Sequence, residues 1–87
     1  MRISEKMLET QCNIINNLRK TPEKAYDRIE GKFKANIGNY HLYFAYGSVG
    51  LHKMVNEGGG VHEVFGLTTK RELFNQLQSY IRGILND

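Results

Sequence analysis

Apolar residues recur at helical spacing through the first part of the chain. At 100° per residue Ile3, Met7, Leu8, Ile14, Ile15 and Leu18 share one arc of about 140°, so residues 3 to 20 are expected to form an amphipathic helix. Glu5 and Glu9 stand in its first turns and Arg19 and Lys20 in its last, an order that suits the helix dipole. Thr21-Pro22 then restarts a helix, with Thr as N-cap and Pro at the first helical position. The spacing predicts a second helix from about residue 22 to about residue 35. Its stripe would be Tyr26, Ile29 and Phe33, and Lys24, Arg28 and Lys32 would follow one another at four-residue spacing on the other side.

From residue 39 to 66 the period changes to two. In Tyr40–Tyr46, the residues Tyr40, Leu42, Phe44 and Tyr46 alternate onto one face and His41, Tyr43 and Ala45 onto the other. Glycines at 47 and 50 mark a tight turn. With Ser48-Val49 as a two-residue loop, Phe44 would face Lys53, Leu42 would face Val55 and Tyr46 would meet Leu51. A second turn at Gly58-Gly59 would set Val64 beside Lys53 and Asn56 beside Val61. These registers give an apolar face of Leu42, Phe44, Tyr46, Leu51, Val55 and Val64. The opposite face would carry His41, Tyr43, His52, Met54 and Asn56. Thr69 followed by Glu72 is a capping box that opens a last helix, with Leu73, Phe74, Leu77, Tyr80, Ile81, Ile84 and Leu85 on its apolar arc. The expected class is therefore α+β in the order α-α-β-β-β-α, a three-stranded antiparallel sheet with helices packed on one face.

Composition narrows this further. Eighty-seven residues allow one domain, residues 1–87, with one modest core. Hydrophobic content of 40% and charged content of 24% are ordinary for a globular chain, and no apolar run is long enough for a bilayer. The start, Met1-Arg2-Ile3-Ser4-Glu5-Lys6, lacks the solid apolar block of a secretory signal, and Cys12 is the single cysteine. Both fit a cytoplasmic protein without disulfides. A net charge of +3 permits anionic partners without demanding them.

Candidate chemistry is sparse. In the registers above His41 and His52 share a face but stand roughly 13 Å apart along the strands, with His62 on the other face, so no metal site is expected. Ser48 lies in a hairpin turn, without a strand-to-helix elbow, and no acid pair stands apart. Gly58-Gly59-Gly60 has no following Lys-Ser/Thr and opens no helix, so it is a turn and not a phosphate loop. No catalytic residue and no cofactor are assigned. Cys12 reads as a small buried hydrophobe. The basic residues Lys24, Arg28 and Lys32 are interleaved with Glu23, Asp27 and Glu30, the pattern of a solvated helix face, whereas Lys70 and Arg71 oppose the dipole of the helix they open and could take a phosphate there.

The order helix, three strands, helix resembles a double-stranded-RNA-binding domain, with Lys70 and Arg71 where that family contacts phosphates, although the family's small-residue, multi-lysine signature is absent. Residues 40 to 85 also resemble the arm-site DNA-binding domain of tyrosine recombinases, which implies readout from His41, Tyr43, His52, Lys53, Met54 and Asn56. Val55-Asn56-Glu57-Gly58-Gly59-Gly60-Val61 followed by Thr69-Lys70-Arg71-Glu72-Leu73 is similar to small accessory proteins of phages and mobile elements. That resemblance implies a non-enzymatic binder of a host protein or ribonucleoprotein complex, for example an inhibitor of a CRISPR-type nuclease. The contact residues would be His41, Tyr43, His52, Met54, Asn56 and Phe65 on the outer sheet face, a face that could equally pair two copies of the chain. The alternative, DNA or double-stranded RNA, would use Lys24, Arg28, Lys32, Lys53, Lys70 and Arg71.

Overall fold

A computed structural model of the chain describes residues 2–86. Its elements run α1 (Glu5–Arg19), β1 (Tyr26–Ile29), β2 (Lys32–Ala35), β3 (Tyr40–Ala45), β4 (Ser48–Met54), β5 (Val61–Thr68) and α2 (Lys70–Leu85). The fold is α+β: two helices, a three-stranded antiparallel sheet in the order β3-β4-β5, and a separate two-stranded hairpin, β1-β2.

Ser4 caps α1 by accepting from the Met7 N–H at 3.2 Å, and Ile3 before it and Leu8 within it both join the core, a hydrophobic staple. Lys20 closes the helix in the left-handed region, φ 58°. Leu8, Cys12 and Ile15 of α1, Leu73 and Leu77 of α2, and Tyr40, Val49 and Leu51 of the sheet form one buried cluster. Thr69 caps α2, its hydroxyl accepting from the Glu72 N–H at 3.1 Å, while the Glu72 carboxylate accepts from the Thr68 hydroxyl.

The expected second helix does not form. Tyr26–Ile29 and Lys32–Ala35 pair antiparallel, with Tyr26 opposite Ala35 and Ile29 opposite Lys32. Between them Glu30 and Gly31 both have positive φ, 51° and 80°, the two-residue turn whose twist matches a hairpin. A helix would have had to carry Gly31 at mid-length at a cost of about 1 kcal/mol, whereas the turn uses its conformational freedom. The α-α-β-β-β-α order is thus corrected to α-β-β-β-β-β-α.

The first turn of the sheet also falls elsewhere. It is Tyr46-Gly47, φ 53° and 76°, and not Ser48-Val49. Leu42 therefore faces Leu51 instead of Val55, Phe44 faces Val49 instead of Lys53, and Tyr46 leaves the sheet for the turn. An even-numbered slip leaves each residue on its face. It changes who stands beside whom, and His41 is now directly opposite His52.

In the second hairpin Met54 pairs with Val61 and Lys53 with His62, and register shifts follow between Leu51 and His52 and between Val49 and Leu51. Such bulges re-aim side chains. Here they let the consecutive residues Val64 and Phe65 both pack against the core. Of the expected apolar face, Leu42, Leu51 and Val64 meet the core, but Phe44, Tyr46 and Val55 are exposed.

Candidate functional site

The outer face of the sheet carries a connected row of rings. His41 and His52, directly opposed, meet edge to face with centroids 5.8 Å apart. Tyr43 stacks on His52 at 3.5 Å and 19°, and its hydroxyl donates to Glu63 Oε2 at 2.8 Å. Gly50 makes this possible: a Cβ there would lie 2.5 Å from Tyr43 Cε1 and 2.7 Å from the Phe65 carbonyl oxygen. The Tyr43 ring lies over the bare backbone of Gly50 and holds its neighbour flat. At the other end of the row Asn39, fully buried, donates through Nδ2 to the Pro22 carbonyl at 2.7 Å and offers Oδ1 to His41 Nδ1 at 3.0 Å.

These surroundings set the titration. Burial, then the neighbouring His52, holds the His41 imidazole below its ordinary range, and burial does the same to His52 against the opposing pull of Glu63. The hydrogen bond to Glu63 raises the Tyr43 phenol. Both imidazoles therefore favour the neutral form.

A second buried polar group fixes the opposite side of β3. Asn16 on α1 accepts from the Tyr40 N–H at 2.8 Å and donates to the Tyr40 carbonyl at 2.9 Å, so its amide pairs with the strand edge as another strand would. Cys12 Sγ donates to the same carbonyl at 3.0 Å, and burial, then Glu9, pushes its thiol up to about 12. Cys12 is a packing residue and a poor nucleophile. Tyr40 continues inward to a hydroxyl contact with Tyr80 at 3.1 Å.

The other candidate contact residues separate. Met54 has outer-face parity but is 1% exposed; the loop 36–39 closes on its backbone, through Gly38 N to its carbonyl and its own N–H to the Asn39 carbonyl. It is a core side chain and not a contact. Phe65 is turned by the bulge toward α2, where it meets Tyr80 edge to face at 5.7 Å and lines a groove with Glu72, Asn75, Gln76 and Ser79. Asn56 is exposed in the β4–β5 turn, where its Oδ1 accepts from the Gly58 and Gly60 N–H groups.

The basic residues form no single ridge. Lys53 reaches over the Tyr40 ring, 5.6 Å from its centroid. Lys70 and Arg71 stay in the first turn of α2, exposed, and Lys24 precedes the β1-β2 hairpin. Arg28 and Lys32 lie on opposite faces of that hairpin, because Arg28 pairs with Phe33 and Lys32 with Ile29.

The hairpin itself is the surface that the sequence reading missed. Its strands pack mainly on each other, and seven of their eight residues are exposed, Ala35 excepted. Tyr26, Ile29 and Phe33 are 47%, 54% and 74% exposed. Tyr26 and Phe33 share a face and meet edge to face at 6.5 Å, with Arg28 on the same face directly opposite Phe33. Lys34 pairs with Glu57 at 3.4 Å, which ties the hairpin to the β4–β5 turn. Gly31, flanked by Tyr, Ile and Phe, was the available sign of this element.

Among the described residues no three ligating side chains converge, and no helix is long and apolar enough to cross a membrane. No protein-family model, curated protein or solved structure matches the chain.

Proposed function

We propose that the protein is a non-enzymatic binding module directed at another protein, in the manner of small accessory proteins that mobile elements aim at host proteins or ribonucleoprotein complexes, and that it works through the β1-β2 hairpin. The observation that carries this reading is the exposure of Tyr26, Ile29 and Phe33 on a hairpin that packs little against the rest of the chain. Aromatic and aliphatic side chains presented in this way contribute to binding only once a partner covers them. The hairpin leaves the core free of any role in recognition, and the turn at Glu30-Gly31 sets its tip.

A second reading, single-stranded nucleic acid, draws on one local detail. Arg28 stands directly opposite Phe33 and next to Tyr26 on the same face, and a cation among aromatic rings suits stacked bases and phosphates. Asp27 and Glu30 in the same hairpin oppose it, which ranks the protein partner first.

Capture of partners from bacterial lysate, with and without nuclease, tests the proposal. The expected result is a discrete protein or complex that survives nuclease and is lost with Phe33→Ala and Ile29→Ala, both of which leave the core untouched. Recovery of nucleic acid that vanishes at raised salt and with Arg28→Ala favours the second reading. Capture that neither hairpin variant alters refutes the assignment to the hairpin.

A further inference from the structure

We propose that His41 and His52 together bind one divalent transition-metal ion, Cu2+ most tightly. This lies beyond the binding role of the hairpin and uses a different surface. The two residues are direct cross-strand partners, with ring centroids 5.8 Å apart. An imidazole nitrogen bound at about 2.0–2.1 Å sets its ring centroid roughly 3 Å from the ion, so two rings on one ion stand no more than roughly 6 Å apart. The observed separation lies inside that limit.

His41 is already oriented for the task. The Asn39 Nδ2 is committed to the Pro22 carbonyl, which leaves Oδ1 facing His41 Nδ1. Oδ1 only accepts, so Nδ1 carries the ring proton and Nε2 carries the lone pair. A ring N–H held by a carbonyl-type oxygen is the usual support of a ligating histidine, fixing both tautomer and ring plane. His52 is held in its stack on Tyr43 but makes no hydrogen bond among the described residues, so neither of its ring nitrogens is committed elsewhere. Glu63, directly opposite His52 and bonded to the Tyr43 hydroxyl, adds negative charge beside the site.

Among the described residues no third His, Cys, Asp or Glu converges with the two imidazoles, so water completes the coordination. A site of this kind has no geometry of its own to impose, so it follows the intrinsic order of the first-row divalent ions, in which Cu2+ leads and imidazole is a suitable donor.

The test is titration of the full chain at neutral pH with Cu2+, Ni2+ or Zn2+ alone, followed by calorimetry and by the rise in Tm, with electron paramagnetic resonance of the Cu2+ form. The expected result is one ion per chain, a spectrum with two imidazole nitrogens, and affinity lowered at least about tenfold by His41→Ala or by His52→Ala. His62→Ala, on the neighbouring strand, leaves it unchanged. Circular dichroism of the metal-free variants checks the fold, and if His41→Ala unfolds, His52→Gln decides. Equal loss in His62→Ala, several weak ions per chain, or no saturable binding at millimolar metal overturns the proposal.

Discussion

Replacing Asn16 with Ala removes a side chain that pairs both backbone groups of Tyr40. Three hydrogen bonds go: from the Tyr40 N–H at 2.8 Å, to the Tyr40 carbonyl at 2.9 Å, and from the Thr21 hydroxyl at 2.8 Å. Their losses are unequal. The carbonyl keeps the Cys12 thiol, and Thr21, only half-buried, can turn to water. The Tyr40 N–H has no substitute, because Asn16 is fully buried and Tyr40 is 5% exposed. An orphaned buried donor costs about 1–3 kcal/mol, and the small cavity left by the amide adds to it. We expect a loss of about 2–4 kcal/mol, from a total of roughly 4–13 kcal/mol for a chain of this length. Urea unfolding followed by far-ultraviolet circular dichroism measures it directly, as a lower midpoint at unchanged slope. The same change lowers Tm by roughly 10–20 °C. A loss below about 0.5 kcal/mol would refute the account of α1 as a partner for the strand edge.

Three further outcomes follow from the geometry. Gly50→Ala drives a Cβ against Tyr43 and the Phe65 carbonyl and is expected to cost about 1–3 kcal/mol; Tyr43→Ala in the same chain should relieve only part of this, since the backbone contact remains. Tyr46, fully exposed with φ 53°, occupies a turn position that Asn prefers, so Tyr46→Asn should stabilise by about 0.5–1 kcal/mol in the same unfolding assay. His41 and His52 are held below the ordinary imidazole value of 6.5, so below that pH the unfolded chain binds more protons than the folded one. Stability is then complete above about pH 6.5 and falls as pH drops through the folded-state values. A double His41→Gln, His52→Gln variant should flatten that decline, and an unchanged profile would place its origin elsewhere.

The two helices and the three central strands were legible because their apolar spacing spans enough turns or alternations to be unambiguous. Tyr26, Ile29 and Phe33 were not, since residues three and four apart fit a helical stripe as well as the two sides of a four-residue hairpin. Gly31 was the sign that separates them. Faces survived the misplaced turn because the slip was even, so His41, Tyr43 and His52 were correctly grouped while their spacing was wrong by four residues. Phe65 was misplaced because a bulge is a tertiary event: nothing in Val64-Phe65 announces that both will turn inward. Asn16 was invisible for a related reason. On a helix it reads as a polar flank, and only the edge of β3 reveals that its amide has a strand to complete.

The single thiol of the chain gives the molecule a built-in clock. Cys12 sits in the seam between α1 and β3, bonded to the Tyr40 carbonyl, with its thiol raised to about 12. Burial keeps that thiol protonated and out of reach of a reagent in the folded state. Alkylation in the native state must therefore wait for the helix to lift from the strand. The rate of label uptake counts those openings one molecule at a time, without any introduced probe. Measured across denaturant, it distinguishes a helix that detaches alone from one that leaves only when the whole domain unfolds.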